Sequence, residues 1–233
     1  MINNYNIKSR VIKSVNGLNI HILENKVKVE TNNVILLLHG FPEISFSYRY
    51  IMLLFEKAGY YCIAPDQRGY GQTTSKGKET LNSFSVLNLA KDMSCLMKKL
   101  NIEKYHLIGH DFGAYISSYL CLLYPKKISS LTLMSMPFTG PPTPENINNM
   151  FIINKKLALL KPKRKHYQCY FSSYSANDNI MKCKQGLDAF FRSYFHFKSF
   201  DYKGNRPNKL KSFTAKEISK MPEYYIMRFN LGI

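Results

Sequence analysis

The sequence has no tryptophan, only 15 acidic residues against 33 lysines and arginines, and five cysteines in 233 positions. Each shortage excludes something. The cysteines (Cys62, Cys95, Cys121, Cys169 and Cys183) are odd in number, scattered, and include no C-x-x-C pair. This argues against a disulfide scaffold or a metal site, and for reduced thiols in a cytoplasm. No apolar run nears the roughly 18–20 residues of a bilayer span. The strongest run, Val34 to Leu38, has the length of one buried strand. Met1 to Arg10 is polar and lacks the apolar centre, about 7–15 residues long, of a signal peptide. No membrane span is expected, and the location expected is cytoplasmic.

The shortage of acids leaves a formal charge of +18. That excess invites a nucleic-acid reading, but it is spread thinly along the chain. Only Lys161-Pro162-Lys163-Arg164-Lys165 forms a cluster. In a Lys-, Asn- and Ile-rich chain it reads as a solvated loop, and no nucleic-acid partner is expected. With 45% hydrophobic residues the chain is globular and long enough to bury a sizeable core.

Periodicity gives an alternating first half. Arg10–Val15 and Leu18–Leu23 flank an Asn16-Gly17 turn and predict a hairpin. Val34–Leu38 is apolar throughout, as in a parallel strand covered on both faces. Ser45–Ala58 predicts a helix and Tyr60–Ala64 a strand. Ser83–Leu100 places Leu87, Ala90, Met93, Leu96, Met97 and Leu100 on one helical face. Tyr105–Ile108, Ala114–Leu123 and Ile128–Met134 continue as strand, helix and strand. Strands joined by crossover helices after an entry hairpin imply a mostly parallel, doubly wound α/β sheet. Pro137, Pro141, Pro142 and Pro144 then break the pattern, and residues 138–233 read as a separate helical layer.

Three motifs carry the chemistry. Gly109-His110-Asp111-Phe112-Gly113-Ala114 lies between a strand and a helix, as G-x-D-x-G where a G-x-S-x-G nucleophile elbow would stand. Such a turn exposes a nucleophile on a strained backbone, and its glycines let helix and strand approach. The helix N-terminus favours negative charge on Asp111. Many strand-to-helix turns carry two glycines, so company matters. His39-Gly40-Phe41-Pro42-Glu43 follows the first buried strand, where open α/β sheets place ligands. The amides of Phe41 and Phe112 can converge as an oxyanion hole, and Phe41-Pro42 is a candidate cis peptide. Asp66-Gln67-Arg68-Gly69-Tyr70-Gly71 reads as a structural turn with an Asp66–Arg68 pair.

In this order and spacing, H-G-F-P-E, D-x-R-G-Y-G and G-H-D-x-G-A resemble the epoxide hydrolase branch of the α/β-hydrolases, whose relatives include haloalkane and fluoroacetate dehalogenases. His166-Tyr167-Gln168-Cys169-Tyr170-Phe171 is similar to the cap segment that bears a proton-donating tyrosine. Lys198–Asn205 and Met221–Met227 also resemble cap segments, so the likeness runs over essentially the whole chain. It implies an α/β-hydrolase core with a helical cap: residues 1–137 as the N-terminal part of the core and 138–233 as an incomplete cap, the last core strands missing. It implies Asp111 as nucleophile on a small apolar epoxide, with an alkyl-enzyme ester that water hydrolyses to a diol. Tyr167 would protonate the epoxide oxygen, unless it is a cap-core aromatic. Phe41 and Phe112 would hold the oxyanion, supported by His39, Gly40, Pro42, Gly109, His110 and Gly113. No metal and no cofactor are expected.

The family departs at Phe112, where haloalkane dehalogenases carry a halide-binding Trp and fluoroacetate dehalogenases an Arg. Phe112 offers neither donor, which leaves dehalogenation as the alternative to epoxide opening. The family's triad order is nucleophile, acid, histidine, the last two beyond the cap. His21, His39, His106, His110, His166 and His196 occupy other contexts, so the triad histidine and acid are expected to be absent from this chain. At roughly 30 residues per βαβ unit, two missing units correspond to about 60–90 residues. Either a C-terminal segment or a second chain completes the triad, or the chain is a truncated, non-catalytic remnant.

Overall fold

Val34–Leu38 (β3) is buried along its whole length, and its side chains divide between two cores. Alternation in a strand sends Val34, Leu36 and Leu38 one way, and Ile35 and Leu37 the other. This sheet is therefore covered on both faces, as the apolar run implied. The computed structural model describes residues 7–27, 33–141, 143–204 and 209–230. Pro142, Asn205 and the final Gly232-Ile233 lie outside the described residues.

The chain divides into two compact units, 1–140 and 141–233. In the first, β1 (Ile7–Val15) and β2 (Leu18–Asn25) form the entry hairpin. They are followed by β3, α1 (Arg49–Lys57), β4 (Tyr61–Pro65) and β5 (Thr74–Ser75). Next come α2 (Val86–Lys99), β6 (Tyr105–His110), α3 (Phe112–Leu123) and β7 (Ile128–Met134). The sheet runs in the order β1-β2-β4-β3-β6-β7, with β5 paired to β2. β4, β3, β6 and β7 are parallel, while β2 meets β1, β4 and β5 antiparallel. Because β4 lies on one side of β3 and β6 on the other, strand order reverses at β3. Ligands bind at such a switch point in open α/β sheets.

Helices α2 and α3 cover the face of Leu36 and Leu38, through Leu89, Met93, Leu96, Ile116 and Leu120. Tyr48 and Met52 cover the face of Ile35 and Leu37. Several sequence expectations need correction. Ser45–Tyr48 is a 3-10 turn and the α-helix starts only at Arg49. α2 begins at Val86, capped by Ser85, and Leu87 faces solvent while Leu89 packs inward. Counted at 3.6 residues per turn, Leu87 falls on the opposite side from Met93 and Leu96.

The second unit contains α4 (Pro144–Ala158), α5 (Tyr167–Phe171), α6 (Tyr174–Met181), α7 (Leu187–Lys198) and α8 (Ala215–Ile218). It also contains a two-stranded ribbon, β8 (Arg164–His166) against β9 (Ile226–Arg228), which no apolar pattern announced. The strands are three residues each and partly charged, so only their pairing across the unit defines them. Ile153, Leu157, Ala215, Ile218 and Ile226 form its core. The basic cluster is consequently not a solvated loop at its far end. Arg164 pairs with Glu223 at 2.9 Å, and Lys165 lies over the Tyr170 ring at 4.3 Å, its pKa lowered by burial. No helix among the described residues is long and apolar enough to cross a membrane.

Candidate active site

Parallel pairing of β3 with β6 sets Leu38 opposite Gly109, so the two chains leave the sheet side by side. From β3 come His39, Gly40 and Phe41; from β6 come His110 and Asp111. β6 ends at His110 and α3 begins at Phe112, which leaves Asp111 alone as the turn, at φ 53° and ψ −120°. A non-glycine residue with that backbone is strained and persists only where its surroundings over-determine it. They do. The Asp111 N–H donates to Met134 O at the end of β7 (3.0 Å), and Asp111 O accepts from Ala114 N–H (3.0 Å). The Phe41 N–H donates to Asp111 Oδ1 at 3.1 Å.

The glycines are explained by space. A Cβ on Gly40 would lie 2.5 Å from Asp111 Cβ and 2.8 Å from its Oδ1. On Gly113 it would lie 2.6 Å from His39 O and closer still to Leu38 O, which would push α3 off β3. On Gly109 it would meet Gly113 O at 2.5 Å. The motif is thus the closest approach of β3, β6 and α3, with the carboxylate standing on it.

The flanking motif residues frame this point. His39 is fully buried: Nδ1 contacts Gly40 O at 3.0 Å, and Nε2 accepts the Gln67 N–H at 3.1 Å. Burial lowers its pKa, consistent with a neutral, structural ring. Phe41-Pro42 is a cis peptide, as is Lys161-Pro162. His110 Nδ1 lies 3.2 Å from Glu43 Oε2, which ties the two motifs together across the mouth of the turn. Phe112 packs near the Tyr115 ring, 6.3 Å between centroids.

Sequence reasoning missed Tyr70. Its ring meets His39 edge-on at 4.9 Å, and burial, together with the negative charge of Asp111, raises its phenol to about 12. The tyrosine stood in the Asp66–Gly71 motif, but nothing in the spacing said that the charge of Asp111 reaches it. The predicted Asp66–Arg68 pair does not form. Asp66 binds His21, Ser45 and Gln72, whereas Arg68 makes a two-pronged contact with buried Asp92 at 2.8 Å. The side chains of a turn point apart, and each found the opposite charge or donor nearest its own side.

A family model described as the alpha/beta hydrolase fold matches residues 33–161, more than half of the chain. The chain belongs to the alpha/beta hydrolase family. Within that family, an epoxide hydrolase 3 from Siraitia grosvenorii is 42% identical over 125 residues, which cover 54% of this chain and 38% of the relative. A bifunctional epoxide hydrolase 2 from Sus scrofa is 28% identical over 179 residues, 77% of this chain and 29% of that protein. The crystal structure of the epoxide hydrolase VrEH1 from Vigna radiata superposes with a TM-score of 0.69 at 30% identity, covering 82% of this chain and 55% of that one. The chain therefore spans about half, or less, of the length of these relatives.

In the second unit of this hydrolase-family chain, Tyr167 opens α5 directly after the ribbon. Its N–H donates to Tyr225 O at 2.8 Å, and its ring lies 5.2 Å from those of His166 and Tyr225. His166 caps α5 by accepting the Gln168 N–H, and burial lowers its pKa. A cavity of about 730 Å³ in the same unit is lined by Phe171, Phe190, Tyr194, Phe197 and Met227 among others, and Tyr167 is not among its lining residues. His196 lies in α7 against Phe197 and Tyr202. The structure thus brings Asp111, Phe41, Gly40, His39, Gly109 and Gly113 to one point, and places Tyr167 among the aromatics of the other unit.

Proposed function

We propose that this chain carries the nucleophile half of an epoxide hydrolase-type hydrolase acting on a small apolar epoxide. The observation that carries the reading is the Phe41 N–H held on Asp111 Oδ1 while the Asp111 backbone is locked in the strained turn. With Oδ1 occupied, Oδ2 attacks an epoxide carbon. A C–O bond forms to Asp111 as the ring C–O bond breaks, and Tyr167 gives its phenolic proton to the ring oxygen. Splitting the hydration into two steps replaces a weak water nucleophile with a fixed carboxylate. In the second step water adds to the ester carbon, and the resulting oxyanion at Oδ1 is met by Phe41 N–H and by Phe112 N–H. The latter is a first-turn helix amide, which has no acceptor within the helix.

The base for that second step belongs, in this reading, to a histidine–acid pair outside these 233 residues, supplied by further polypeptide or a second chain. Alone, the chain is alkylated and stops. Residues 1–137 serve as core and 138–233 as cap. Five free cysteines support a reducing cytoplasm as its location. A dehalogenase reading is disfavoured by Phe112, whose ring has no N–H to offer a leaving halide.

The test is intact-mass spectrometry of the chain treated with a terminal aryl epoxide. A persistent adduct of one epoxide mass, mapped to Asp111 and missing from Asp111→Asn, is expected. No adduct, or continuous diol release by this chain alone, overturns the reading.

A further inference from the structure

A second polar cluster lies beneath the hairpin and takes no part in the chemistry of Asp111. His21 in β2 is 3% exposed, and Asp66, just after β4, is 1% exposed. Asp66 Oδ2 lies 2.8 Å from His21 Nδ1 and accepts the Gln72 N–H at 2.9 Å. Its Oδ1 accepts the Ser45 N–H at 2.9 Å and the Ser45 hydroxyl at 2.6 Å. Burial pushes this carboxyl up, but the hydrogen bonds from His21, Ser45 and Gln72 outweigh it and hold the group at about 2. An ionised carboxylate only accepts, so His21 Nδ1 carries the proton of that contact, and in the neutral tautomer the lone pair is on Nε2.

His21 Nε2 is 2.8 Å from Ser9 Oγ, and with a neutral ring the Ser9 hydroxyl is the donor. Val11 stands opposite His21 in the hairpin register, so Ser9, two residues away, is the diagonal neighbour on the same face. Ser9 is exposed on β1, which ends the sheet, while both residues behind it are buried. A hydroxyl donating to an imidazole whose other nitrogen is fixed by a buried carboxylate is the relation that makes a serine nucleophilic.

We propose that Ser9, His21 and Asp66 form a second reactive site, in which Ser9 accepts an acyl or phosphonyl group from an activated donor such as an aryl ester. Ser9 Oγ bonds to the carbonyl carbon as the bond from that carbon to the aryl oxygen breaks. The hydroxyl proton passes to His21 Nε2 and then to the departing aryl oxide. The products are an acylated Ser9 and a free phenol, with no oxidant or cofactor required. Asp66 keeps the imidazole in the accepting tautomer and stabilises the imidazolium while it lasts.

The 233-residue chain, treated with an alkyl fluorophosphonate, tests this: the Ser9 oxygen–phosphorus bond forms, phosphorus–fluorine breaks, and hydrogen fluoride is lost. Peptide mass spectrometry is expected to find Ser9 labelled at least about tenfold faster in the folded chain than in the urea-unfolded chain. Ser9→Ala, a change on an exposed strand, removes that adduct. Asp111→Asn leaves it unchanged, which separates this site from the epoxide reading. Equal rates for folded and unfolded Ser9, or an undiminished adduct in Ser9→Ala, overturn the proposal.

Discussion

Gly40 stands so close to Asp111 that a Cβ on the glycine would lie 2.5 Å from the Cβ of the aspartate. Real Cβ atoms do not approach that closely, so one of the two must move. Gly40→Ala therefore displaces the carboxylate from the Phe41 amide. With misplacement on the order of 1 Å, alkylation of Asp111 by an epoxide falls by about 100-fold. A time course of adduct mass, run beside a thermal melt showing the variant still folded, checks this. An unchanged rate would mean that the carboxylate position is not what the glycine protects.

Asp66 sets a pH dependence of stability. Its carboxyl sits at about 2 in the fold against 3.8 in an unconstrained chain, so the native state binds fewer protons than the unfolded one. Stability from this group is complete above about pH 4 and disappears as the pH falls through about 2, an effect of about 2 kcal/mol. Urea melts of wild type and Asp66→Asn between pH 6 and pH 2 isolate it. The gap between the two should narrow by that amount on acidification, and a constant gap would contradict it.

Tyr105 offers a stabilising change. The residue is completely buried at the start of β6, and its hydroxyl finds no hydrogen-bond partner among the described residues. A buried polar atom without a partner costs free energy on folding, while its ring earns the packing. Tyr105→Phe is expected to raise the unfolding free energy by about 1 kcal/mol, measured by urea denaturation. A loss of stability would show that the hydroxyl is satisfied.

Much of the first unit was legible because burial and periodicity coincide there. Val34–Leu38 is apolar on both faces and lies mid-sheet; Asn16-Gly17 turns the hairpin where both residues adopt positive φ. The elbow was legible because each of its glycines is demanded by a backbone contact. What could not be read are relations between residues far apart in the chain. Nothing local says that Arg68 turns to Asp92, that the charge of Asp111 reaches Tyr70, or that Ser9 reaches His21. The β8–β9 ribbon failed for a related reason. Three-residue strands about sixty positions apart have no period, and only the register of Arg164 with Arg228 reveals them.

The amide of Asp111 is anchored on Met134, the last residue of β7, and among the described residues β7 is the outer strand beside β6. Among the described residues, the proposed nucleophile is therefore tethered to an outer strand of the sheet. Strands at a margin open more readily than interior ones. Loosening of β7 would reach the Asp111 backbone through this hydrogen bond, and any element that clamps β7 would stiffen the elbow from outside it. Whatever borders that strand thereby acquires leverage over the position of Asp111.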